Sequence, residues 1–178
     1  MRKSADWLFR GLEAVLVVLL AGMVAMVFGN VVLRYGFNSG IVISEEMSRY
    51  FFVWLTFVGA VVAFRESAHL GVETLVQRFG RRGRLVCMAL SEIVILLCMA
   101  VLFWGTWRQA PINASMQAPV VGISMIWVYG TAFFTSIGIG VMAALRLFRI
   151  VSGRISDEEV GAFAGEGMAA QAVRERAE

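Results

Sequence analysis

The residues of this chain best equipped for chemistry are a short polar run, Ser44, Glu45, Glu46 and Arg49, preceded by Arg34. Two further polar side chains, Asn30 and Glu92, lie inside apolar stretches. Adjacent carboxylates one helical turn from a guanidinium suit ion pairing, helix capping or the docking of a charged surface. Ser44 fits an N-cap, the two glutamates fall where a helix dipole favours negative charge, and Glu45 to Arg49 has the i, i+4 spacing of a favourable pair. With Arg34, the same set also fits a docking surface for another subunit. Asn30 and Glu92 are costly in hydrocarbon unless they face protein or water. Glu92 therefore has two readings, a proton or cation site as in minimal multidrug exporters, or a hydrogen-bonded strut.

Other chemistry is poorly provided for. His69 is the sole histidine, so a haem held by paired histidines has no ligand set, and no cysteine and histidine cluster offers a zinc site. A glycine-rich phosphate loop is lacking as well. No catalytic residue, bound cofactor or metal ligand is expected, and the chain is not expected to be an enzyme. Cys87 and Cys98 are the two cysteines. Eleven residues of helix separate their Cα atoms by about 16 Å, too far for a disulfide, and both are expected to be buried structural thiols.

The elements that position these residues are legible from composition. Of 178 residues 59% are hydrophobic and 16% charged, against about 25% charged in soluble domains. Four continuous apolar blocks, about 12–33, 46–64, 85–107 and 123–145, each approach the roughly 20 residues needed to cross a bilayer as helix. A barrel strand would alternate instead. The fold class expected is all-α integral membrane, with a four-helix domain over 1–151 and a mobile tail over 152–178. The first block is longer than a secretory signal core and has no small-residue cleavage site after it, so it reads as a retained anchor.

Charge orients these spans. Thirteen of the sixteen basic residues precede the first span, lie between the second and third, or follow the fourth. Only Arg34, Arg49 and Arg108 are left for the opposite side. The positive-inside rule then puts both termini and the central loop in the cytoplasm. The net charge of +3 reads as orientation, since no basic stripe interleaved with aromatics marks a nucleic-acid partner. Within the central loop, Val72, Leu75, Val76 and Phe79 are spaced as the apolar face of a short interfacial helix, with arginines available to anionic lipid.

Small residues recur every fourth position at Ala132, Ser136, Gly140 and Ala144 and at Ala21, Ala25 and Gly29. Such stripes let helices approach closely, within the chain or against a larger membrane partner. Trp7, Trp54, Trp104, Trp107, Trp127 and Tyr129 include several positions suited to interfacial anchors. The two halves of the chain show no duplication.

Several segments in order resemble one family, the small membrane subunit of tripartite ATP-independent periplasmic (TRAP) transporters. They are Asn30 to Tyr35 (NVVLRY), Glu45-Glu46 with Arg49-Tyr50, Trp54 to Ala60 (WLTFVGA), and Arg65-Glu66 through His69 to Glu73. A weaker likeness runs from Gly122 into Trp127 and Tyr129. The resemblance implies an inner-membrane, multi-pass subunit that braces a large permease for ion-gradient-driven symport of organic acids. A periplasmic binding protein would deliver the substrate, and the coupling ion, sodium, would bind in the large subunit. By the same likeness Arg34, Glu45, Glu46, Arg49, Trp54 and His69 are candidates for subunit interface or assembly. The alternative from the residues is a self-contained proton-coupled exporter using Glu92.

Overall fold

The computed structural model describes residues 2–66 and 80–153. Helix α1 spans Arg2–Gly36, α2 Val42–Glu66, α3 Arg81–Ser115, the single turn α4 Ile126–Tyr129, and α5 Thr131–Val151. No strand occurs among the described residues; an isolated bridge pairs Gln117 with Ser124. Among the described residues, four helical stretches are long and apolar enough to cross a membrane: Trp7–Gly36, Val42–Arg65, Arg82–Ser115 and Ile126–Val151. The expected interfacial helix at Val72 to Phe79, His69, and the tail beyond Gly153 lie outside the described residues.

The helices outrun the apolar blocks that announce them. Hydropathy marks where lipid contacts the chain, whereas backbone hydrogen bonding continues into polar flanks. Thus α1 takes in Arg2 to Gly11 and α3 continues through Arg108 to Ser115 with Pro111 inside it. The fourth span begins later than expected and is split. Gly130 separates α4 from α5, its N–H donating to the Ile126 carbonyl at 2.7 Å, and α5 then continues to Val151. A side chain at Gly130 would strike that carbonyl.

The chain divides into two compact units, Met1–Val62 with Val101–Ile137, and Ala63–Ala100 with Gly138–Glu178. In the first unit α1 and α2 pack antiparallel. A Cβ on Gly22 would sit 3.1 Å from the Phe51 ring and one on Gly59 would sit 3.7 Å from Leu16. Tyr50, Ala118 and Val128 form a buried cluster flanked by Met47, Val53 and Met125, and Phe103, Trp107 and Phe133 make an aromatic group with ring centroids 5.4–6.4 Å apart. Thr135 donates its hydroxyl to the Phe57 carbonyl at 2.8 Å, tying α5 to α2. In the second unit Met88, Ile139 and Ala143 are buried, and Met99 lies 3.8 Å from where a Cβ of Gly140 would be.

Only 11% of the most apolar window of α1, and the same share of α3, is buried within the chain, against 33% for the last span. The outward faces carry Val17, Val18, Phe28, Leu97 and Val101 at 65–70% exposure, a surface suited to hydrocarbon and unsuited to water. The small-residue stripes divide accordingly. Ala132 and Ser136 are buried, but Ala144 is exposed and Ala143 takes the interior position; on α1, Ala21 and Ala25 are exposed. The expectation of buried thiols is not met, because Cys87 is half-buried and Cys98 exposed. Eleven residues differ from three full turns by about 20° of helical rotation, and α3 is too sparsely covered for both thiols to reach an interior.

Candidate functional site

The polar residues singled out by sequence gather where α1 turns into α2 and where the connection from α3 to α4 meets them. The α1 end is closed by the Leu33 carbonyl, which accepts from the Phe37 N–H at 3.0 Å and the Ser39 N–H at 3.1 Å. Asn38 takes a left-handed conformation, φ 50°, which asparagine tolerates better than most residues. Asn30, 8% exposed, locks this turn. Its Oδ1 accepts from the Ile41 N–H at 2.7 Å, and its Nδ2 donates to Glu45 Oε1 at 3.2 Å. A buried amide with both ends engaged is stable inside a membrane protein, where an unmet polar group is costly.

Ser44 is not the N-cap that its sequence context suggests. Helix α2 starts two residues earlier at Val42, so Ser44 lies inside the first turn, and its hydroxyl donates across to the Met26 carbonyl of α1 at 2.7 Å. The expected Glu45–Arg49 side-chain pair is also replaced. Arg49 Nε donates to the Glu45 backbone carbonyl at 3.3 Å, while the Glu45 carboxylate faces Arg34 Nη1 at 3.9 Å and Asn30. The Arg34 and Glu45 side chains are 70% and 51% exposed, so their pair is worth about 0–1 kcal/mol. Arg34→Ala should therefore leave the thermal midpoint in detergent nearly unchanged. A large drop would show that Arg34 does more than sit in this exposed pair.

Glu46 behaves differently from its neighbour. It is buried, 4% exposed, and its carboxylate collects three donors: the Tyr50 hydroxyl at 2.8 Å on Oε1, and the Val120 and Val121 N–H groups at 3.0 and 2.8 Å on Oε2. Val120 and Val121 are the tip of a tight reversal. Ala118 N–H donates to the Ile123 carbonyl, Gly122 N–H to Ala118, and Met125 N–H to Met116, at 2.8–3.0 Å. Gly122 supplies the positive φ of 74° the reversal needs. Two adjacent N–H groups aimed at one oxygen form a small anion-binding nest, here filled by the protein's own carboxylate.

Trp54 completes the arrangement, its Nε1–H donating to the Trp127 carbonyl at 3.1 Å and linking α2 to α4. Structure thus brings Asn30, Arg34, Ser44, Glu45, Glu46, Arg49 and Trp54 into one region, with Arg34, Glu45 and Arg49 exposed and Asn30, Ser44 and Glu46 buried. Glu92 stands apart in the second unit. It is buried, with Oε1 3.9 Å from Arg146 Nη1, and the Arg146 guanidinium lies 4.9 Å above the Phe64 ring. Sequence reading used Arg146 only as an orientation residue and missed it as the partner of Glu92. It also missed Tyr50 as the partner of Glu46, although the i, i+4 spacing was a visible signal.

The arrangement fastens helices to one another and to a connecting turn; it has the character of a joint. Comparison with known proteins places the chain in a family. The family profile for tripartite ATP-independent periplasmic transporters, DctQ component, matches residues 23–153. A Haemophilus influenzae protein provisionally named as a TRAP transporter small permease is 39% identical over 153 residues, covering 85% of this chain and 92% of that one. The sialic acid TRAP transporter small permease SiaQ of Vibrio cholerae is 25% identical over 65% of this chain and 66% of its own. The C4-dicarboxylate TRAP transporter small permease DctQ of the same organism is 27% identical over 54% of this chain and 41% of its own. With the profile covering most of the chain and four helices able to cross a membrane, the protein belongs to the DctQ family, the small permease subunits of TRAP transporters.

Proposed function

We propose that this chain braces the large permease of a TRAP-type secondary transporter that takes up organic acids across the inner membrane. In this reading both termini are cytoplasmic, a periplasmic binding protein delivers the substrate, and an ion gradient drives uptake, with sodium as the coupling ion bound in the large subunit. The observation that carries the reading is where the polar side chains go. Asn30, Ser44, Glu46, Trp54 and Thr135 all reach to another helix or to the turn at Val120. Hydrogen bonds so used stiffen a body, and apolar outward faces seat it in lipid or against another membrane protein. A moving transport domain needs such a stationary counterpart. Sialic acid and C4-dicarboxylates, named for two relatives, are both organic acids and support that substrate class. In this reading the choice of acid belongs to the other components.

Reconstitution tests this. Proteoliposomes holding this chain with its large subunit and binding protein should accumulate substrate under an inward sodium gradient, those lacking this chain should not, and this chain alone should transport nothing. Uptake by this chain alone, abolished by Glu92→Gln, would overturn the proposal in favour of a self-contained exporter.

A further inference from the structure

Beside the joint, the first unit has a second feature with no role in it, an open cleft of about 720 Å³ between α3, Phe57 of α2 and the start of α5. That volume is within the ~300–1,000 Å³ of small-ligand sites. Its walls change along their length. Thr106, Gln109 and Asn113 line it from α3, with Tyr129 opposite, while Leu102, Phe57 and Ala132 line the other end. Thr106, Gln109 and Asn113 are spaced i, i+3, i+7, so one helical face presents all three. Leu102 and Asn113 lie about 16 Å apart along the axis by helical rise.

Asn113 is the decisive residue. It is 8% exposed and lines the cleft, yet its side-chain amide makes no hydrogen bond among the described residues; only its backbone carbonyl is used, accepting from the Ser124 hydroxyl at 3.2 Å. An amide that faces a cleft and is unpaired within the protein is the kind of group a ligand satisfies. Thr106 donates its proton to the Leu102 carbonyl at 2.8 Å, which leaves its oxygen free to accept. Every polar group lining the cleft is neutral, so the complementary ligand needs hydrogen-bonding atoms at one end, an apolar remainder, and no net charge.

We propose that the cleft holds one zwitterionic phospholipid, its glycerol-ester and headgroup atoms hydrogen-bonded to Asn113, Gln109 and Tyr129 and an acyl chain running past Leu102 and Phe57. The polar end lies toward the α3–α4 connection, at the level of the exposed Trp107 and Trp127, the depth at which interfacial aromatics and lipid esters coincide. A polar-to-apolar change over such a distance matches a lipid molecule better than a transmembrane helix, whose apolar length would leave Asn113 unmet. Gly105 lines the cleft, and a Cβ there would meet nothing within 4 Å, so the cleft is open along this wall.

The test uses the full chain, purified in mild detergent with whatever membrane partner it retains and returned to bilayers containing phosphatidylcholine or phosphatidylglycerol with a diazirine on one acyl chain. Photolysis and peptide mapping should concentrate label on 101–109 and Phe57, with the zwitterionic lipid labelling at least as well as the anionic one. Gly105→Leu, whose Cβ enters open space at the cleft wall, should lower that label about tenfold, and Gln109→Leu should lower it in the same direction. Gly29→Leu, an equally unobstructed change on α1, should leave it unchanged. Label spread evenly over the exposed faces of α1 and α3, equal labelling of Gly105→Leu, or a cross-linker at Gln109 capturing a protein in place of lipid would each overturn the proposal.

Discussion

Glu46→Ala should lower the recovery of monodisperse protein about tenfold or more, because it removes three hydrogen bonds at once from a carboxylate that joins segments 74 and 75 positions apart. Hydrogen bonds to an ionised acceptor are roughly twice as strong as neutral ones. Their loss would leave the Val120 and Val121 N–H groups and the Tyr50 hydroxyl without acceptors beside the buried Ala118 and Val128. The reversal at 118–123 would then lose the contact that ties it to α2. Glu46→Gln keeps the shape and one acceptor oxygen, so it should retain an intermediate recovery. Tyr50→Phe, losing one of the three bonds, should do less harm than either. Size-exclusion profiles and thermal midpoints in one detergent order the series. If the alanine variant elutes and melts like the parent, the carboxylate does not hold the turn.

Asn30→Leu should be the next most damaging change, at about 2–3 kcal/mol. It orphans the Ile41 N–H and removes the donor to Glu45 at a position with 8% exposure. The expected signature is local, with amide exchange accelerating at Ile41 and through the first turn of α2 while exchange in α5 stays slow. Uniform acceleration along the chain would mean that Asn30 supports the whole fold and not the α1–α2 turn. Combining Asn30→Leu with Arg34→Ala should add nothing measurable beyond the asparagine change, since Arg34 is an exposed partner of a carboxylate already released.

What the sequence makes legible is set by range. Membrane helices announce themselves locally, because about twenty consecutive apolar residues admit few other structures, and the four spans follow from that alone. Their ends do not. Arg108 to Ser115 is polar and contains Pro111, yet remains helical, since helices of membrane proteins tolerate a proline where neighbouring groups satisfy the freed backbone. Asn30 and Glu46 attract attention by being polar beside apolar runs, but beside Glu45 and Tyr50 their partners are backbone N–H groups of Ile41, Val120 and Val121. An amide N–H has no residue signature. For Ser44 the local rule pointed the wrong way: the N-cap pattern was present, but the helix starts at Val42 and a carbonyl of α1 takes the hydroxyl.

The grip of Glu46 on the 118–123 reversal has a bearing on how this sequence can drift. The carboxylate reads main-chain amides and ignores the valine side chains that happen to carry them. Position 120, whose side chain is exposed, can therefore exchange one amino acid for another over generations with the joint intact, whereas Val121 also packs against Tyr50, Ala118 and Val128 and is held to an apolar side chain. Proline is the exception, having no amide hydrogen to give. The carboxylate, which also takes the Tyr50 hydroxyl, has no such latitude of its own.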